Sequence, residues 1–264
     1  MKASKTLRSA FNIIMSSPLS PEERQRYEWQ LWTPGFGEEG QQKLKAATVL
    51  ISRCGGVGGT VALELAAAGV GRLILAHGGD LRLNDLNRQL LMTTEHVGKR
   101  RVDSAVTRLR ELNPHVEVVP VPENITEANV AGLVAQADLV VSAAPLFEER
   151  LLMNREALRQ GKPLIECAMY DLEAIVMPVL PGQTACLGCL TPEPPKWWKR
   201  EFPVFGAVAG TAGCMAAMEA IKIIAGLGES LAGAMIAIDF RTMHVRKVAV
   251  ARDVECVLCG EGAG

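Results

Sequence analysis

The chain has almost no excess of either charge, no unbroken apolar run of membrane length and no even set of cysteines. Each shortage removes a class of function. Its 28 Lys and Arg against 29 Asp and Glu leave a formal charge of −1, which gives no electrostatic reason to expect nucleic acid or an anionic membrane as partner. No continuous apolar stretch reaches the roughly 18 residues that cross a bilayer. Residues 1–18 are basic and weakly amphipathic but lack the apolar core of a signal peptide. They read as a flexible tail, with Met15 placed where an alternative start can lie. Seven cysteines is an odd count, and four of them form two Cys-x-x-Cys pairs, which points to metal ligation in a reducing cytosol over a disulfide framework. The length suits one α/β domain over residues 19–264.

That domain is organised around Ala47–Gly71. Val49–Ser52 is an apolar segment of the length of a buried parallel strand, and Gly55, Gly56, Gly58 and Gly59 follow as a turn that can lie close to a ligand. The helix after the turn carries Val61, Leu63, Leu65, Ala66 and Ala67, and Gly69 or Gly71 would stop it. A turn of this kind aims backbone N–H groups at an anion, so nucleotide phosphate is the first expectation. Arg53 stands where a strict G-x-G-x-x-G fingerprint needs its first glycine, and an ordinary tight turn remains the alternative.

Strand and helix alternate around this unit. Ser20-Pro21-Glu22-Glu23 has the form of a capping box, Pro34–Gly37 breaks the chain, and Glu38–Lys45 leads into the central strand. Leu73–Ala76, Val116–Val121 and Leu139–Ala143 read as strands, with Lys99–Leu112 and Ala128–Ala137 as helices. The result is an α/β fold with a doubly wound, Rossmann-like sheet, whose loops Arg53–Gly59, His77–Arg88 and Ala144–Arg150 should converge on one cleft. The second half supplies a mixed or antiparallel extension. Pro163–Glu166 and Ala174–Val179 read as strands, Thr191–Pro203 as a loop, Gly213–Ala225 as a helix, and Met235–Asp239 with Val245–Val250 as a hairpin.

Cys186, Cys189, Cys256 and Cys259 form two knuckles of identical spacing, each able to bring two sulfurs to one ion at about 2.3 Å. Together they describe a closed, structural zinc site; four unrelated buried thiols are the alternative. Cys54, Cys167 and Cys214 sit in apolar or small-residue surroundings that suit buried, inert thiols.

The segments Arg26-Tyr27, Gly55-Gly56-Val57-Gly58, Gly69-Val70-Gly71, Leu86-Asn87-Arg88-Gln89, Asn113-Pro114, Ala217–Lys222 and the two cysteine pairs, taken in order, resemble the ThiF/MoeB/HesA family from about residue 20 to residue 260. The resemblance implies ATP and magnesium binding and adenylation of the C-terminal glycine carboxylate of a ubiquitin-like sulfur carrier or a peptide tail. It also implies a homodimer, or a heterodimer with a relative, and a cytoplasmic setting. Arg88 and Arg101 fall where catalytic cations are expected. Arg53, Gly55, Gly56, Gly58, His77, Asp80, Asp85 and Gln89 fall around the nucleotide.

The chain also departs from the family at identifiable positions. Arg53 replaces the first loop glycine, His77 the acid that holds the ribose, and Gly79 a second acid of the same motif. Asp85 replaces an asparagine, Arg101 a phosphate-binding lysine, Trp29 an arginine that reaches the neighbouring subunit, and Pro145 the aspartate that works with magnesium. Asp80 or Asp85 can hold a metal from a shifted position, and Glu148 and Glu149 lie just beyond Pro145, although all read first as solvated loop carboxylates. His77 is a candidate base or a packed capping residue. The crossover-loop cysteine of some relatives aligns near Lys199, in a stretch without a thiol. Trp197 and Trp198 there either grip a partner's tail or form a lid. Two readings follow: a divergent carboxylate-activating nucleotidyltransferase, or a scaffold or pseudoenzyme half of a heterodimer. Nicotinamide-dependent oxidoreduction is disfavoured by Arg53 and His77.

Overall fold

The computed structural model describes residues 18–260. The expected tail, Met15 included, lies outside the described residues apart from Pro18. The chain opens with α1 (Pro21–Arg26), α2 (Glu28–Leu31) and α3 (Gly37–Ala46). Ser20 Oγ accepts the Glu23 N–H at 3.1 Å while Glu23 Oε2 accepts the Ser20 N–H at 2.7 Å, so the expected capping box is formed.

The doubly wound half follows as β1 (Thr48–Ser52), α4 (Gly56–Ala68), β2 (Arg72–Ala76), α5 (Arg101–Leu112), β3 (Glu117–Val121), α6 (Val130–Ala135), β4 (Leu139–Ser142) and α7 (Phe147–Arg159). The remainder is β5 (Leu164–Tyr170), β6 (Glu173–Val179), α8 (Leu187–Leu190), α9 (Gly206–Ala225), β7 (Ala234–Asp239) and β8 (His244–Ala249). All eight strands form one sheet in the order β3-β2-β1-β4-β5-β6-β7-β8. The pairings from β3 to β5 are parallel, and those from β5 to β8 antiparallel.

Successive strand residues face opposite sides of the sheet, and both sides are covered, which is why the central strands are uninterrupted apolar runs. Val49, Ile51, Leu73, Leu75, Val141 and Ile165 pack with α4, α5 and α9. Leu50, Ile74, Val140 and Leu164 pack with α6 and α7. In α9, 20 residues long, length and apolarity would suit a membrane span, but half of it is buried inside the fold.

Three expectations need correction. Gly56, Gly58 and Gly59 belong to α4 and not to the turn. The chain reverses within Arg53–Gly55, and the glycines let α4 start directly against the strand end: a Cβ on Gly58 would sit 2.4 Å from the Arg53 carbonyl oxygen. Phe147–Arg150, expected in a loop, is the first turn of α7. Finally, α9 begins at Gly206 and not at Gly213, because Val208, Ala209 and Ala212 pack against Met169 and Ala174, and such burial outweighs the helix cost of glycine. The end of α4 is as expected, with Gly69 at φ 84° as its left-handed cap.

Candidate functional site

The carboxyl ends of β1, β2 and β4 deliver Arg53, His77 and Ala143–Pro145 to one cleft, which Trp198, Arg200 and Phe202 also line. Of the expected nucleotide-site residues, it gathers Arg53, Gly55, Gly56, His77, Asp85, Arg88, Gln89 and Arg101. Gly58 does not line it and packs on the strand end. Asp80 is exposed and lies in a neighbouring cavity that shares Arg53, Arg101 and Arg200 with the cleft.

Arg53 adopts a left-handed backbone, φ 60°, a conformation that costs an L-residue on the order of 1–2 kcal/mol. Its guanidinium is buried against Glu149, with Nη2 donating to Oε2 at 2.6 Å and Nε donating to the same oxygen at 2.8 Å. Glu149 is therefore not the solvated loop carboxylate expected; it projects from the first turn of α7 and neutralises Arg53. Glu148 beside it is exposed. Arg150 lines the same cleft, its guanidinium 4.1 Å from the Phe147 ring centroid and paired with the fully buried Glu166 at 2.5 Å. Neither Arg150 nor Glu166 stood out in the sequence, because only the pairing of α7 with β5 brings them together.

Among the described residues lining the cleft, Asp85 is the only carboxylate. Arg101 Nη2 donates to its Oδ2 at 2.7 Å, the Arg82 N–H donates to the same oxygen at 2.9 Å, and Gln89 Nε2 and Arg88 Nη2 donate to Oδ1 at 2.9 and 3.1 Å. Burial opposes its ionisation, but the Arg82 N–H and the Arg101 guanidinium outweigh burial and hold the carboxyl below its ordinary value. The oxygens of Asp85 are thus committed to donors, which leaves the described lining of the cleft without a free carboxylate for the one or two that magnesium takes beside substrate phosphates. Magnesium does not fit the residues present. Gln89 Oε1, by contrast, is a buried acceptor without a partner.

His77 is buried, its Nδ1 3.5 Å from Cys54 Sγ. Burial, reinforced by the positive Arg53 and Arg101, lowers the imidazole pKa to about 3. Burial also pushes the Cys54 thiol up to about 12. Both groups are neutral near pH 7, and His77 is too weak a base for the role considered above. Over the cleft, Trp198 donates Nε1–H to the Pro145 carbonyl at 2.6 Å and contacts Phe147, Tyr170 and Phe202. Trp198 is therefore a lid, whereas Trp197 stays 65% exposed.

The second centre is the cysteine knuckle. The sulfurs of Cys186, Cys189, Cys256 and Cys259 lie within 4.8 Å of one another, with Cys186 to Cys256 at 3.8 Å and Cys189 to Cys259 at 3.4 Å. Four sulfurs at about 2.3 Å from one ion would be about 3.8 Å apart, so this donor set can hold zinc. Of the three remaining cysteines, Cys54 and Cys167 are buried as expected, but Cys214 is exposed on α9. Its helix turns a row of small residues outward there, whose free face the apolar composition concealed.

The ThiF family model matches residues 27–258. The chain is 46% identical over 245 residues to the heterocyst HesA protein of Trichormus variabilis, covering 93% of this chain and 92% of that one. It is 37% identical to a sulfur carrier protein adenylyltransferase of Thermus thermophilus, covering 91% and 92%. Among solved structures it resembles Escherichia coli MccB bound to ATP, at 27% identity and TM-score 0.75 over 84% of this chain and 69% of that one. MccB with MccA-N7isoASN matches at 25% identity and TM-score 0.81 over 89% and 75%.

Proposed function

Since the chain belongs to the ThiF family, we propose that its cleft binds a nucleotide phosphate and the C-terminal carboxylate tail of a small carrier protein or peptide. In this reading magnesium-ATP adenylation by the chain alone is absent or severely slowed. The observation that carries the proposal is the state of Asp85, the one carboxylate among the described residues lining the cleft and already committed to Arg101, Arg88, Gln89 and the Arg82 N–H. Adenylation develops charge on the α-phosphate and the departing pyrophosphate, and relies on a metal held by carboxylates. Arg53, Arg88, Arg101, Arg150 and Arg200 line the cleft against the three acids that pair with them, and this positive surplus suits an anion. The relatives support the ligand class: one is named for adenylating a sulfur carrier protein, and another is solved with ATP and with a MccA derivative.

The alternative, a divergent adenylyltransferase, draws on the same five arginines, which can stabilise charge without a metal. ATP–pyrophosphate exchange paired with ATP calorimetry separates the two. Binding without exchange is expected, because loss of one charge-stabilising group costs on the order of 100- to 1,000-fold in rate. Exchange that becomes measurable in a His77→Asp/Pro145→Asp variant would strengthen the proposal. Brisk exchange by the unaltered chain with a ubiquitin-like carrier would overturn it.

Three further parts of the reading stand with it. Residues 19–264 form one domain in a reducing, cytoplasmic setting. The knuckle holds one structural zinc. The outward face of α9, with Ala207, Thr211, Cys214 and Met218 exposed, contacts a second copy or an intact relative, which sedimentation at micromolar concentration tests.

A further inference from the structure

Asn154 lies in the middle of α7 with no exposed surface. Its Oδ1 accepts the Leu187 N–H at 3.0 Å, tying α7 to α8 one residue beyond Cys186. That bond fixes the amide orientation, since the flipped amide would set an N–H against an N–H. The Nδ2 donor is enclosed and has no hydrogen-bond partner, and the bond to the Leu187 N–H sets the amide beside Cys186. An unmet buried donor is a standing cost to the fold. A neutral thiol is a weak acceptor, whereas a thiolate carries the charge that makes N–H···S bonding favourable. A metal-held sulfur at Cys186 would supply the acceptor that this donor lacks.

We propose that Asn154 is a positioning residue of the knuckle, donating Nδ2–H to the Cys186 thiolate when zinc is held and anchoring the site to α7. The inference rests on the reading of the four thiols as a zinc site. Its consequence reaches the cleft, because α7 also carries Phe147 beneath Trp198, Glu149 against Arg53 and Arg150 against Glu166. The helix that lines the anion site is pinned at its middle by the metal knuckle.

The test uses the zinc-loaded full chain. Asn154→Asp keeps an acceptor for the Leu187 N–H and removes the donor; Arg155→Gln, exposed on the same helix, is the control. We expect Asn154→Asp to lose about 10- to 100-fold in zinc affinity by chelator competition and to shift the thiolate-to-metal band of the cobalt-substituted protein, with Arg155→Gln unchanged. In cadmium-113-substituted wild type, the Asn154 side-chain amide protons should show a scalar coupling to the metal through the N–H···S bond, a readout that stands even if the aspartate variant does not fold. Wild-type affinity and an unshifted band in Asn154→Asp, or no coupling in the wild type, would overturn the proposal while leaving the zinc site in place. A wild-type chain that takes up no zinc removes both.

Discussion

The cysteine knuckle and the basic cleft are joined by α7 and are built on opposite plans. In the knuckle, four potential ligands face one another, their sulfurs within 4.8 Å. In and just behind the cleft wall, each of three acids has an arginine: Glu149 has Arg53, Glu166 has Arg150, and Asp85 has Arg101 and Arg88. The difference teaches that what a site can receive depends on which charges remain unspent. The knuckle is left ready for a cation. The cleft, its acids consumed, offers arginine edges and a helix start, which suit an anion.

The largest effect should come from emptying the knuckle. Binding free energy at a structural zinc is folding free energy, and at this chain length each kcal/mol moves the melting temperature by about 2–4 °C. Cys259→Ser, or exhaustive chelation, should lower the calorimetric melting temperature by on the order of 10 °C, alongside one zinc per chain by elemental analysis. No zinc and no change in melting would erase the contrast between the two centres.

The cleft should answer next to charge removal. Glu149→Gln leaves Arg53 buried and unpaired, which costs about 3–5 kcal/mol and should appear as a lower urea midpoint. Adding Arg53→Gly removes the stranded cation and the left-handed strain together, so the double variant should recover most of that loss. If the single variant is as stable as wild type, the arginines are not locked as described.

A pH titration sharpens the comparison further. The folded-state pKa of His77, about 3, lies below its ordinary value near 6.5. Between those values the unfolded chain binds a proton that the folded chain refuses. Stability from this group is therefore complete above about pH 6.5 and declines as pH falls toward 3, by at most about 1.4 kcal/mol per unit. His77→Gln should flatten that decline, and the difference between the two proteins removes any shared contribution from thiol protonation at the knuckle. Parallel curves would place the proton elsewhere.

The smallest effect concerns the lid. Trp198→Phe keeps most of the aromatic contact but deletes the bond to the Pro145 carbonyl, a loss of about 1 kcal/mol. It should quicken entry of pyrophosphate, read by stopped flow, with little change in melting. An unchanged entry rate would remove Trp198 from the path into the cleft.

Much of the fold was legible because it is written locally. The capping box at Ser20, the left-handed stop at Gly69 and the apolar strands carry their reasons within a few residues. The knuckle was legible too, since a Cys-x-x-Cys pair is itself most of a ligand set. The cleft was half legible. Motif order placed Arg88, Gln89, Arg101 and His77 together, but Glu149 looked like a loop acid, Cys214 like a buried thiol, and α7 was not foreseen as the helix continuing from Phe147.

By itself, the amino-acid order determined the alternation of strands and helices, the helix stop at Gly69 and the four thiols in two pairs, because burial periodicity, backbone sterics and ligand spacing act over short stretches. Tertiary structure alone decided which charges cancel. Arg53 meets Glu149 and Arg150 meets Glu166 only after α7 is laid across the sheet, and ion pairs bury where packing brings them together, regardless of their separation in the chain. That pairing, and not the residue types taken singly, leaves the cleft open to an anion.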